Sequence, residues 1–224
     1  MEKRKIIFGT YDTAANGGWT LTSWALTSAQ HKSNLVEVPG LSGSRDLSTV
    51  LTDGEPVYGD RTLTATFESS EGTRLERESI IHTMQNWLDG WSMDIYLPDD
   101  PLHYIRGRVH VERLYNDNAH ASVTVTAVCE PWRYSLTDTV VTLTATTEEQ
   151  TAELLNTGRR TVVPLLTITT EAEGDTVLLV FGSSSWALGP GTYKLPDIVL
   201  TQGGHKLTYS GAGTVAISYR EAVI

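Results

Sequence analysis

The chain has 224 residues, 40% of them apolar and 20% charged, with a formal net charge of −10 at pH 7. That length suits one large or two small domains, and the composition excludes a disordered chain. The acidic balance excludes a protein that wraps nucleic acid, which needs a basic stripe; it suits a surface past which DNA slides without sticking.

Cys129 is the single cysteine, so an intrachain disulfide and a cysteine-based zinc site are both excluded. Folding in a reducing compartment follows. Met1-Glu2-Lys3-Arg4-Lys5 opens like the charged region of a signal, but only Ile6-Ile7-Phe8 follow before Gly9. The longest later apolar run, residues 177–181, is five residues, so no membrane span is expected.

Residues 5–30 read as strand, turn, strand, with the turn at Asn16-Gly17-Gly18. Period-two alternation puts Trp19 and Trp24 on opposite faces, one buried and one exposed or at an interface.

Residues 36–67 organise the chain: turn, short strand, turn, strand. Pro39-Gly40, Gly43, Asp53-Gly54 and Pro56 punctuate them. Leu63, Ala65 and Phe67 alternate with Thr62, Thr64 and Thr66, which predicts a half-buried strand.

Residues 72–90 predict one helix. Thr73 and Glu76 have capping-box spacing, and Gly90 suits a left-handed stop. Ile80, Ile81, Met84, Trp87 and Leu88 form the apolar stripe; Arg74, Glu76, Arg77 and Glu78 form the solvated side. At ~1.5 Å per residue the helix spans about 25 Å, enough to cover a sheet face.

A strand over 92–97 and a turn at Pro98-Asp99-Asp100-Pro101 lead into a long hairpin, with strands near 103–115 and 119–129. Ile105, Val109, Val111 and Tyr115 share one face, as do Ala121, Val123, Val125, Ala127 and Cys129. Opposed residues point the same way, so this register asks for an odd loop, Asn116-Asp117-Asn118. Arg106, Arg108, His110 and Glu112 fall on the other, polar face. Such a hairpin is a natural arm toward a neighbouring subunit. Pro131 is expected to end its ladder pairing, with a domain boundary near 135–138.

The remainder holds no strong helix. Strands are expected at 140–145, 162–169, 176–181, 198–201, 205–209 and 215–219. Residues 148–155 read as a helical turn or a strand, and Gly182 with three serines as a loop. Turns at Asn156-Thr157-Gly158 and Gly189-Pro190-Gly191 help set a spacing of about 8–12 residues, the pattern of a β-sandwich.

The search for chemistry returns nothing that points to an enzyme. Gly40-Leu41-Ser42-Gly43-Ser44 misses the nucleophile-elbow spacing, and H-E-x-x-H is absent. No two of the six histidines stand at i, i+2 or i, i+4, so no metal site and no cofactor is expected. Asp94, Asp99 and Asp100 read as turn residues rather than calcium ligands. Trp186, Tyr193 and Tyr209 lie on or beside sandwich loops, where rings either stack sugars or pack the core.

Val38-Pro39-Gly40, Asp46-Leu47, Tyr58 and Arg61 stand in a pattern that resembles the N-terminal domain of the distal tail proteins (Dit) of long-tailed phages. Further pieces fit in order: the helix after the Thr66-Phe67 strand, Tyr104 with Gly107-Arg108-Val109, and Cys129-Glu130-Pro131-Trp132-Arg133-Tyr134. Asn156-Thr157-Gly158, Pro164-Leu165-Leu166-Thr167-Ile168 and residues 215–221 continue it. Glu130 stands where the C-D-P-x-x-Y pattern of the family has aspartate.

The resemblance implies a mainly β protein in two parts. Residues 1–136 would be a β-rich ring-forming (belt) domain with one packed helix and a long hairpin. Residues 137–224 would be a small galectin-like β-sandwich, too short for a grafted receptor module. Val38, Pro39, Gly40, Asp46, Leu47, Tyr58 and Arg61 would shape the ring domain. The implied role is structural: a virion protein, made in the bacterial host cytoplasm, that forms a ring, usually of six copies, at the distal end of the tail tube. Its partners would be itself, the tail tube protein, the tape-measure protein and the tail-tip hub or tail-associated lysin. The alternative from the residues is a carbohydrate-binding adhesion module; a polysaccharide hydrolase stands third.

Overall fold

The structure, a computed structural model, describes residues 4–52, 54–170, 172 and 174–224. Most of the basic opening, Met1-Glu2-Lys3, and Asp53 of the expected Asp53-Gly54 turn lie outside the described residues. The chain divides into two compact units, residues up to Arg133 and residues from Tyr134 to Ile224.

The first unit runs β1 (Ile7–Phe8), β2 (Tyr11–Asp12), β3 (Thr20–Leu26), β4 (Leu35–Glu37), β5 (Ser44–Asp46), β6 (Arg61–Ser69), α1 (Arg74–Leu88), β7 (Ser92–Tyr96), β8 (His103–Asn116) and β9 (Ala121–Ser135). Its main sheet has the order β2-β1-β7-β8-β9-β6-β3, and β4 and β5 form a separate two-stranded sheet. Alternation in β6 is as expected: Leu63, Ala65 and Phe67 are buried, and Thr62 and Thr64 exposed. Their partners Ala127, Val125 and Val123 in β9 are buried on the same face. Ile81, Met84 and Leu88 of α1 close this core.

Several expectations in this unit change. Trp19 and Trp24 both pack on the core, because a bulge at Thr22 turns the strand over between them. Leu21 opposes Phe67 and Ser23 opposes Thr66, which leaves Thr22 unpaired and returns Trp24 to the side of Ala65. The Thr22 hydroxyl donates to the Thr66 carbonyl at 3.0 Å.

The helix has its capping box: Thr73 Oγ1 accepts from the Glu76 amide, and Glu76 accepts from the Thr73 amide at 2.7 Å. Its buried stripe is Arg77, Ile81, Met84 and Leu88. Arg77 therefore leaves the expected solvated side, and Trp87 leaves the core, being 60% exposed. Trp87 stands seven residues from Ile80 on the rim of the stripe, where the sheet no longer covers it.

The β8–β9 connection is residues 117–120, four residues rather than three. The Asp117 amide donates to the His120 carbonyl, and the Asp117 carboxylate accepts from the Ala119 and His120 amides. Strand β9 also continues through Pro131, although its ladder with β6 ends at Arg61 opposite Cys129. A proline is tolerated beyond the last rung.

The second unit contains β10 (Thr139–Ala145), β11 (Gln150–Asn156), β12 (Leu165–Thr169), β13 (Val177–Phe181), β14 (Ser184–Leu188), β15 (Gly191–Tyr193), β16 (Gly203–Gly211), β17 (Gly213–Tyr219) and β18 (Ala222–Val223). Two four-stranded antiparallel sheets, β10-β17-β12-β15 and β11-β16-β13-β14, share one apolar core. This is the expected sandwich. The stretch at 148–155 resolves as a strand from Gln150 onward, not as a helical turn. The serines after Gly182 are not a loop: Gly182 and Ser183 make a tight turn into β14. Residues 198–201 add only the Val162–Leu200 bridge instead of a strand.

Candidate assembly surface

The segment between β3 and β6 begins as a stem. His31 bridges Tyr58, the Lys32 amide donates to the Val57 carbonyl at 2.8 Å, and Gly59 donates to Gln30 at 2.8 Å. The Tyr58 ring meets His31 and Trp132 edge-on, at centroid distances of 6.1 and 5.9 Å. Below it, buried Arg61 donates from Nε to the Thr27 carbonyl at 3.0 Å and from Nη1 to the Pro131 carbonyl at 3.4 Å. Burial, then neighbouring Arg133, pulls the Arg61 guanidinium below its ordinary pKa. Tyr58 and Arg61 thus tie the stem to the sheet.

Beyond the stem the chain stands in solvent. Leu35, Val36 and Glu37 pair with Asp46, Arg45 and Ser44, and every residue of both strands is exposed. Asp46 and Leu47 form the base: Ser48 donates its amide to the Asp46 carboxylate at 2.8 Å, and Leu47 donates to the Asn34 carbonyl at 2.9 Å. The Ser48 hydroxyl and amide hold the Asp46 carboxyl below the usual carboxylate range. Val38, Pro39 and Gly40 lie in the tip, where Gly40 and Gly43 take φ values of 85° and 82° that favour glycine. No atom outside the immediate chain lies within 4 Å of a Cβ built at either glycine.

Sequence reasoning missed the most telling side chains here. Leu41 is 60% exposed and Leu51 is 96% exposed, with Val50 between. Leucine inside a run of proline, glycine and serine turn residues has no element to cover it, and that was the available signal. Several exposed apolar side chains in one segment point to a site of contact.

A second apolar surface is a groove of about 610 Å³ at the C-terminal end of α1. Phe8, Tyr11, Trp87, Leu88, Trp91 and Met93 line it, with no charged residue in its wall. Trp91 is 64% exposed.

The polar face of β8 is occupied within the unit. Arg106 Nε donates to Asp94 at 2.8 Å, Arg108 donates to the Gly90 carbonyl at 2.6 Å, and His110 Nδ1 lies 2.7 Å from Asp89. Glu112 is exposed. The hairpin tip is held on α1 by Arg113 to Glu78 at 2.6 Å and Asn116 to Glu78 at 2.8 Å. These residues brace the central strand against β7 and the helix end.

The turn aspartates also have cationic partners: Asp99 pairs with Arg4, and Asp100 with His103 and Arg133. Among the described residues no three His, Cys, Asp or Glu side chains gather to hold a metal. The rings of Trp186, Tyr193 and Tyr209 lie on the inner side of the sandwich. Trp186 and Tyr209 stand opposite Leu179 from its two neighbouring strands, and all three rings pack on the sandwich core. The Tyr193 hydroxyl donates to the Gly189 carbonyl at 3.2 Å.

No helix among the described residues is long and apolar enough to cross a membrane. No family model matches the chain, and no curated protein sequence matches it. The solved structures do contain its architecture: a β-rich unit with one helix followed by a small sandwich is the fold of a phage distal tail protein. The crystal structure of SPP1 Dit (gp 19.1), described as a paradigm of the hub adsorption apparatus in phages that infect Gram-positive bacteria, is similar with a TM-score of 0.67. The likeness covers 98% of this chain and 99% of that one at 15% sequence identity. It supports, at the level of fold, the resemblance carried by the motifs.

Proposed function

We propose that this chain is a structural protein of a phage or prophage tail tip, forming a ring at the distal end of the tail tube. The observation that carries this reading is the shared fold along nearly the whole of both chains, with no large insertion left over on either side. The exposed apolar segment of the first unit supports it, because a ring subunit must keep surface for its neighbours.

On this reading the first unit joins copies of itself, usually six, and meets the tail tube and tape-measure proteins on one side. The tail-tip hub or tail-associated lysin lies on the other. The chain works by fit rather than by bond chemistry, and its net charge of −10 keeps passing DNA from adhering to the ring. Its location is the virion.

Negative-stain images and mass measurement of the purified chain test the proposal. Closed rings are the expected result, and antibody against the chain should label the tail tip of intact particles. A chain that stays monomeric alone and in the presence of the tube and tape-measure proteins overturns it.

A further inference from the structure

We propose that the glycine-bounded tip at residues 38–43 of one copy seats in the Trp87–Trp91 groove of the next, making the head-to-tail contact of the ring. This rests on the ring reading above and names the contact that reading leaves open.

Placement is the first argument. A ring built from identical subunits needs two different, complementary patches, one on each side of the subunit. The tip arises between β3 and β6, which close one end of the sheet order; the groove lies beside β1 and β7, toward the other end. One unit therefore carries a knob and a hole on different strands.

Chemistry is the second. The tip reads Val38-Pro39-Gly40-Leu41-Ser42-Gly43 and holds no charge, and no charged residue lines the groove. Neither surface buries an ion against the other, so contact costs no unpaired charge. A volume of about 610 Å³ lies within the roughly 300–1,000 Å³ of pockets that seat drug-sized apolar ligands. The tip is that kind of occupant: Leu41 is 60% exposed, in a turn whose two glycines have open space at the Cβ position. Trp87 and Trp91 supply the aromatic wall that interface centres favour.

Complementation tests the pairing. Leu41→Asp spoils the knob and leaves the groove; Trp91→Asp spoils the groove and leaves the knob. Each variant should lose the ring and run as a monomer. Mixed in equal amounts, they should shift to a heterodimer joined through the one intact knob and the one intact groove. The mixture guards against misfolding, since two collapsed chains would not pair. Rings formed by Leu41→Asp alone overturn the pairing and leave the ring reading standing. Wild-type rings with monomeric variants and no heterodimer also overturn it. Absence of rings from the wild type and of heterodimers from the mixture overturns both.

Discussion

The Arg77 guanidinium donates to the backbone carbonyl of Asp117 at 2.8 Å, so the first turns of α1 are bolted to the tip of the β8–β9 hairpin. The same group donates to the Gly72 carbonyl at 2.6 Å. Arg77 is 1% exposed and sits on the stripe with Ile81, Met84 and Leu88. A buried cation is tolerated there because carbonyl oxygens receive its donors. Arg77→Ala strands both carbonyls and should cost about 1–3 kcal/mol. Arg77→Lys, with one point charge in place of a fork, should recover part of that. Urea unfolding followed by circular dichroism measures both.

Gly107 faces Cys129 across the middle of the sheet. A Cβ built on Gly107 would lie 2.6 Å from Cys129 Sγ and 2.9 Å from the Val128 carbonyl oxygen. Gly107→Ala must push β8 from β9 and should destabilise by about 1–3 kcal/mol. Adding Cys129→Ala removes the sulfur but not the carbonyl, so the double variant should recover only part of the loss, a non-additivity read from unfolding midpoints.

Burial also pushes the Cys129 thiol up to about 11 from 9.0. The folded state thus favours the neutral thiol. Its contribution is complete below pH 9 and is lost as pH rises through about 11. Thiol labelling at neutral pH should be slow in the native protein and rapid after unfolding; fast native labelling contradicts this environment.

Acid should loosen both ends of α1. Asp89 accepts from the Val111 amide at 2.9 Å and stands 2.7 Å from His110. The Val111 amide, then His110, holds the Asp89 carboxyl below its ordinary range, and Asn116 with Arg113 does the same for Glu78. A depressed carboxylate stabilises the fold above its unfolded pKa and loses that contribution as pH falls through its folded value. Urea midpoints should therefore fall as the pH is taken below the ordinary carboxyl values of 4.5 for Glu78 and 3.8 for Asp89. Asp89→Asn keeps an acceptor for Val111 but no titrating charge, and should shrink the drop.

Local patterns made much of this fold legible. The Thr73–Glu76 box, the alternation in β6 and the turn spacing of the sandwich each depend on neighbours a few residues away. What failed depends on distant partners. Nothing in sequence spacing tells that Arg77 will find the Asp117 carbonyl forty positions on, or that a bulge at Thr22 will bring Trp24 back to the core. The motif residues of the organising segment were readable as turn formers, while the division into a tied stem at Tyr58 and Arg61 and a free-standing tip at 38–43 needed the three-dimensional pairing. Trp186 looked like a loop residue because the turn into β14 is shorter than the serine run suggested.

Asn156 shows why a weak turn motif is worth a direct test. It ends β11 fully buried, and its Nδ2 donates to the Leu200 carbonyl at 3.0 Å and the Arg160 carbonyl at 3.1 Å. Its Oδ1 accepts from the Gly158 amide at 3.0 Å. Gly158 in turn lies against β18: a Cβ there would fall 2.7 Å from both the nitrogen and the oxygen of Ala222. Backbone atoms cannot swing aside as a side-chain end can. Asn156→Ala should cost about 1–3 kcal/mol through the two stranded carbonyls. Asn156→Asp should cost more, because it presents an acceptor where two carbonyls need a donor. Gly158→Ala should match or exceed the alanine variant by forcing the Ala222 backbone away from the turn. Calorimetric unfolding ranks the three; an Asn156→Asp variant as stable as the wild type would mean that the Asn156 amide donates to neither carbonyl.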